Sequence, residues 1–148
     1  MEPVNKMKIQ FSSLPVNVSF ARVAAGAFAA QIDFTINDIE ELKVAVSEAV
    51  TNSIVHGYDN DPGGAVELYA EIAGETLTIV VEDHGRGIED INKAMQPAFS
   101  TDPERMGLGF SFMQSFSDRL EVHSSPGMGT RVKMTRKCRK EALPRPRS

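Results

Sequence analysis

Cysteine is nearly absent from this 148-residue chain: Cys138 stands alone, which excludes an internal disulfide and any zinc-ligand spacing. Long apolar runs are absent too, and none approaches the roughly 20 residues that a bilayer crossing requires. The opening stretch MEPVNKMKIQF carries no apolar segment behind its basic residues, so no secretory signal is read there. Internal repeats and low-complexity tracts are missing. So is a basic body, the electrostatic footprint of a nucleic-acid-binding domain. These absences exclude a membrane protein, a disulfide scaffold and a direct nucleic-acid binder. What remains is a composition of 41% hydrophobic and 24% charged residues, that of a single globular domain in the cytoplasm.

The charge that is present lies unevenly. From Arg136 to the end there are six basic residues against one acid, a net +5 in a chain of net -4, so Met1–Thr135 carries -9. Composition therefore divides the chain into a domain over 1–135 and a basic, proline-containing tail over 136–148, expected to be solvated and flexible.

Hydrophobic periodicity orders the body. Met7, Ile9 and Phe11 alternate with polar residues as in a half-buried strand, and Val18–Ile32 is an apolar, alanine-rich helix in which Arg22 is the one charge. Asn37 and Glu40 suggest a capping box for a second helix, whose stripe Ile39, Leu42, Val46, Ala49, Val50 and Ile54 ends at Gly57. Two strands follow, with inward sets Val66, Leu68, Ala70, Ile72 and Leu77, Ile79, Val81, joined at Gly74-Glu75. Residues 85–109 form a long connection with a short helical patch near Ile91 and Ala94. A helix over Phe110–Phe116 then leads to strands at Leu120–Ser124 and Thr130–Met134. The order β-α-α-β-β-α-β-β predicts an α/β two-layer sandwich, with helices on one face of a mixed, mostly antiparallel sheet.

Polar residues interrupt this pattern in four places. Glu48 and Asn52, at i and i+4, stand one turn apart at the edge of the buried stripe, where a bare carboxylate and amide cost several kcal/mol unless partnered. A carboxylate there can act as a base, and an amide oxygen suits Mg²⁺, which takes oxygen ligands; an ordinary polar helix face is the alternative. Asp83 shares the inward parity of Leu77, Ile79 and Val81 and is followed by Gly85 and Gly87, a backbone opened for close approach of a ligand. It can accept hydrogen bonds from a base amino group, or simply cap its own turn. Gly107 and Gly109 precede the helix at Phe110, where exposed N–H groups favour phosphate. Thr130, inward like Val132 and Met134, follows Gly129.

In this order E-A-V-T-N at 48–52, D-x-G-x-G at 83–87, G-x-G-F at 107–110 and G-T at 129–130 resemble the ATP site of the GHKL superfamily. Within that superfamily, Ser47–Pro62 and Phe20–Val23 are similar to the bacterial anti-sigma serine kinases, the sporulation group in particular. The resemblance implies a Bergerat ATP-binding fold, ATP and Mg²⁺ as cofactors, and a homodimer with two protein partners. One partner would be a sporulation sigma factor held inactive, the other an anti-anti-sigma protein phosphorylated on serine. It also implies roles: Glu48 as catalytic base, Asn52 as magnesium ligand, Asp83 on the adenine amino group with Gly85, Gly87 and Thr130 nearby. Arg105, Gly107 and Gly109 would belong to the lid over the phosphates, and Arg22 would face the sigma factor. The lid is shorter than is usual in that family, and Met106 replaces a small polar residue. The competing expectations are an ATP/ADP-gated sigma-binding module without kinase activity, and the general-stress counterpart of the same kinase.

Overall fold

The computed structural model describes residues 4–95 and 106–139. Five strands and four helices follow one another as β1 (Val4–Ser12), α1 (Val16–Ala29), α2 (Ile36–Asn52), β2 (Ala65–Ala73), β3 (Thr76–Asp83), α3 (Ile91–Ala94), α4 (Met106–Phe116), β4 (Arg119–Ser124) and β5 (Thr130–Lys137). The strands form one sheet in the order β1-β2-β3-β5-β4, and every neighbouring pair is antiparallel, so the sheet is antiparallel throughout rather than mixed. α1, α2 and α4 cover one face, and the two-layer sandwich expected from the element order is what forms.

The pleat decides what lies between the layers. Leu68, Val81, Val132 and Val122 stand in one inward rung, and Ala70, Ile79, Met134 and Leu120 in the next. Against them α2 presses Leu42, Ala45, Val46, Ala49 and Val50, all buried, and α4 adds Phe110, Met113 and Phe116. Burying each larger side chain contributes about 2 kcal/mol. α1 contributes mostly Ala21, Ala25 and Ala29, whose small size lets it lie close to α2.

Three local expectations are corrected. α2 begins at a Thr35–Asp38 capping box, not at Asn37 and Glu40: the Thr35 hydroxyl accepts from the Asp38 N–H at 3.0 Å, and Asp38 Oδ2 accepts from the Thr35 N–H at 2.9 Å. Thr35 alone has the extended backbone that an N-cap needs, whereas Glu40 turns to Lys43 at 3.3 Å. α4 starts at Met106, so Gly107 and Gly109 lie inside its first turn instead of ahead of it. Lastly, β5 runs on to Lys137, and the expected boundary after residue 135 cuts through it. Arg136 pairs with Asp38 at 2.6 Å and Glu41 at 2.9 Å, Arg139 pairs with Asp118 at 3.1 Å, and Cys138 is buried. Residues 140–148 lie outside the described ones.

Candidate functional site

The register that builds the core also builds the site. One rung beyond Leu68–Val81–Val132, the inward positions are Val66, Asp83, Thr130 and Ser124. The same alternation that places hydrocarbon in the core thus delivers a carboxylate and two hydroxyls to the end of the sheet. Asp83 is 3% exposed. Burial pushes its carboxyl above the usual range, and hydrogen bonds from the Gly85 amide, the Ser53 hydroxyl and the Thr130 amide, with the nearby His84, pull partly against that. The Gly85 N–H lies 2.9 Å from Asp83 Oδ1.

Ser124 completes this end. Its hydroxyl accepts from the Ile88 N–H at 2.8 Å and lies 2.9 Å from the Gly129 carbonyl, which can only accept. With that proton committed to Gly129, the Thr130 hydroxyl at 2.8 Å donates to Ser124 and keeps lone pairs for another donor. A depression of about 480 Å³ opens at this end of the sheet, lined by Asp83, Ser124 and Thr130 of the inward rung and also by the outward Glu82, His123 and Arg131. Its volume is in the range of small-molecule sites.

The second cluster lies at the end of α2. After Asn52 the helical ladder widens: the Tyr58 N–H donates to the Ser53 carbonyl at 2.9 Å, an i→i+5 bond, and Ser53–Gly57 forms a π turn. Such single turns inside helices are frequent at functional sites. The continuous helix expected to His56 therefore stops being α-helical at Asn52. The π turn carries Ser53, 4% exposed, to Asp83, and so joins the two clusters.

Glu48 and Asn52 share the side of α2 that meets the first turn of α4. A Cβ on Gly109 would stand 2.9 Å from Glu48 Oε1 and 3.5 Å from Asn52 Nδ2, so only a residue without a side chain fits there unless Glu48 moves. Asn52 Nδ2 is buried without a hydrogen-bond partner among the described residues. Which end of an amide is oxygen and which is nitrogen is an assignment from hydrogen bonding, so the unpartnered position can equally present the amide oxygen. Among the described residues no three His, Cys, Asp or Glu side chains gather as a metal cage. A single oxygen ligand with a phosphate-borne cation is the arrangement this donor set fits, since Mg²⁺ retains waters and phosphate oxygens.

The remaining expected residues fall as follows. Gly85 and Gly87 hold the loop after β3, Gly87 with φ 79° and packed on the Ser125 carbonyl. Gly107 is buried in the first turn of α4. Arg105 lies outside the described residues. Arg22 is separate from both clusters: it sits half-buried on α1, its guanidinium 3.5 Å from the Ser47 hydroxyl of α2. Two residues went unnoticed in the sequence, Ser53 and Ser124. Ser124 carried a signal, since it shares the parity of Leu120 and Val122; Ser53 carried none, because its aim depends on the π turn.

Known proteins resemble this chain in sequence and in fold. The model of the histidine kinase-like ATPase domain matches residues 11–136. The chain is 54% identical over 138 residues to an anti-sigma F factor of Thermoanaerobacter sp. (strain X514), covering 92% of this chain and 96% of that one. It is 48% identical over 132 residues to the anti-sigma F factor of Anoxybacillus flavithermus, covering 88% and 90%. Among solved structures, the RsbU and RsbW domains of a Mycobacterium tuberculosis protein superimpose with a TM-score of 0.66 at 21% identity, over 91% of this chain and 32% of that longer one. The histidine kinase domain of a blue-light-activated kinase from Erythrobacter litoralis gives 0.58 at 21%, over 84% and 60%. Those two likenesses are of fold alone. Matched nearly end to end by a family model and by close relatives, the chain belongs to the histidine kinase-like ATPase family, in its anti-sigma F factor branch.

Proposed function

We propose that this chain holds a sporulation sigma factor inactive and is an ATP-dependent protein serine kinase that phosphorylates the antagonist of that inhibition. The observation that carries the catalytic part is the close approach of Gly109 in α4 to Glu48, beside the buried Asn52 Nδ2 that has no hydrogen-bond partner among the described residues. In this reading ATP lies with its adenine at the Asp83 rung and its phosphates at the first turn of α4. The first amides of a helix have no intrahelical acceptor and favour anions. Asp83, ionised, accepts from the adenine amino group, and Thr130 supplies a hydroxyl beside it. Gly85 and Gly87 let the loop pass close to the base, and Gly107 and Gly109 let α4 close on α2. Asn52 would hold Mg²⁺ through its amide oxygen. Magnesium, when bound, neutralises phosphate charge and orients the terminal phosphoryl group.

Glu48 then acts on the incoming protein. Its carboxylate accepts the proton of the partner's serine hydroxyl while that oxygen bonds to the γ-phosphorus. The bond from the γ-phosphorus to the β,γ-bridging oxygen breaks, and ADP leaves. Catalysis of this kind rests on positioning and electrostatics. Arg105 belongs to the lid in this proposal. Arg22 belongs to the partner-facing surface: it shares α1 with Phe20 and Val23, which are 53% and 58% exposed, an apolar setting that a protein partner would cover. The dimer is proposed on the same family grounds, as is a cytoplasmic setting; no helix among the described residues is long and apolar enough to cross a membrane.

Calorimetry with Mg–ATP, followed by addition of the anti-anti-sigma protein and an assay for phosphoserine, tests the reading. Binding followed by phosphoserine is expected. Binding without phosphoserine would reduce the protein to a nucleotide-gated sigma binder, and absence of binding would overturn the site.

A further inference from the structure

Tyr58 stands directly after the π turn and is used by none of the chemistry above. Its hydroxyl donates to the carbonyl of Ala65, the first residue of β2, at 2.7 Å. The same oxygen accepts from the N–H of His84, the residue after Asp83, also at 2.7 Å. The phenol's donor is thus committed, and its oxygen holds a backbone amide in the loop after β3. The ring is fixed as well: a Cβ on Gly64 would stand 2.6 Å from it, so the loop backbone lies against the ring.

Two further bonds tie the same segments. The Gly57 carbonyl accepts from the Arg86 N–H at 2.9 Å, and the His56 carbonyl accepts from Arg86 Nε at 2.7 Å. A Cβ on Gly57 would stand 2.9 Å from Asp83 Oδ1, so the π turn and the Asp83 carboxylate are in near contact. The spacing between the π turn and the loop at 84–86 therefore sets the direction in which Asp83 presents its oxygens. The His84 N–H is not deeply buried, and in the absence of Tyr58 it would turn to water. Losing this bond costs the fold little, whereas it frees the residue next to Asp83 to move.

We propose that the Tyr58 hydroxyl is a positioning group for purine recognition, pinning the His84 amide to the start of β2 so that Asp83 distinguishes a 6-amino from a 6-oxo purine nucleotide. The inference rests on the reading that Asp83 accepts from the adenine amino group.

Tyr58→Phe keeps the ring on Gly64 and removes both bonds. Calorimetry would compare Mg–ATP with Mg–ITP, which carries a carbonyl where adenine has its amino group. Wild-type protein is expected to prefer ATP. In Tyr58→Phe the ATP affinity falls about tenfold and the ITP affinity hardly changes, so the preference collapses. In the phosphoserine assay KM for ATP rises while kcat at saturation stays near wild type. A Tyr58→Phe protein that weakens both nucleotides equally, or retains the ATP preference, would overturn the inference alone. Equal affinity of wild-type protein for ATP and ITP would overturn the role of Asp83 first, and this inference with it.

A second measurement needs no folded variant at position 58. The chain has two tyrosines, so 3-fluorotyrosine gives two ¹⁹F signals, assigned through Tyr69→Phe. Tyr69 lies on the outer face of the sheet with its hydroxyl on Glu71, away from the cleft, and serves as the control. On adding ATP the Tyr58 signal is expected to shift and the Tyr69 signal to stay. A Tyr58 signal that stays put under saturating ATP would count against the proposal.

Discussion

The two ends of α2 are built on opposite terms. At its start the cap and the carboxylates Asp38, Glu40 and Glu41 all have partners. Thr35 and Asp38 cap each other, and the second Asp38 oxygen accepts from Arg136 at 2.6 Å. Arg136 also donates to Glu41 at 2.9 Å and to the Phe116 carbonyl at 3.0 Å, with its guanidinium 5.0 Å from the Phe116 ring centroid. One side chain thereby ties α2, α4 and β5 together. At the other end the ladder opens into a π turn, the Asn52 amide nitrogen lacks a partner among the described residues, and a buried aspartate is held above its usual pKa. Buried polar groups in a folded chain are normally paired, so an unpaired one next in sequence to Ser53, which bonds the perturbed Asp83, marks a place shaped for something other than stability. The closed end anchors the helix, and the other end is held in position with one buried amide nitrogen, Asn52 Nδ2, left without a partner among the described residues.

Breaking the open end should cost activity, and breaking the closed end should cost stability. The largest effect is expected for Glu48→Gln. Phosphorylation of the partner should fall about 10³-fold while the calorimetric affinity for Mg–ATP stays within about twofold. Unchanged phosphorylation would remove Glu48 from the role of base. Gly109→Ala comes next: its methyl group displaces Glu48, which should lower kcat about 100-fold with little change in melting temperature. A melting loss without loss of turnover would make Gly109 a packing residue only.

Asp83→Asn should weaken ATP about tenfold, since a charge-assisted acceptor becomes a neutral one. The pH dependence sharpens this. The ionised carboxylate is the acceptor, so wild-type affinity falls as pH drops through the raised pKa, above the usual carboxylate range. Asp83→Asn should show no such step. Stability of the nucleotide-free protein runs the other way. The folded state holds its proton to higher pH than the unfolded chain, so this carboxyl's contribution is present at low pH and lost as pH rises through the folded pKa. A titration of melting temperature in both proteins would show the slope vanish in the variant.

Arg136→Ala should have the smallest effect on function. Stability should drop by about 2 kcal/mol, because Asp38 and Glu41 lose their shared partner, with ATP affinity within about twofold of wild type. Chemical denaturation beside calorimetry measures both. An ATP loss as large as that of Asp83→Asn would dissolve the distinction between the two ends.

Much of the fold was legible because alternation is a local property. The parity of Leu77, Ile79 and Val81 carried Asp83 to the inner face, and that of Val132 and Met134 carried Thr130 beside it. Other features were hidden for identifiable reasons. Glycine is a poor helix former, so Gly107 and Gly109 were read as lying outside the helix. In the folded chain, the close approach of α4 to Glu48 outweighs that preference. Arg136 was read with the basic tail because composition cannot show that Asp38, 98 residues away, receives it. The π turn left no trace in the hydrophobic stripe, which continues through Ile54.

By itself the sequence determined which residues face the sheet, which face the helices, and where polar groups intrude on apolar rows. Those follow from periods of two and 3.6 that each segment carries within itself. Tertiary structure alone decided that α2 would be locked at Asp38 and open at Asn52, and that Tyr58 would reach from the π turn to the residue after Asp83. These contacts join segments far apart along the chain, and no local period encodes the distance between them.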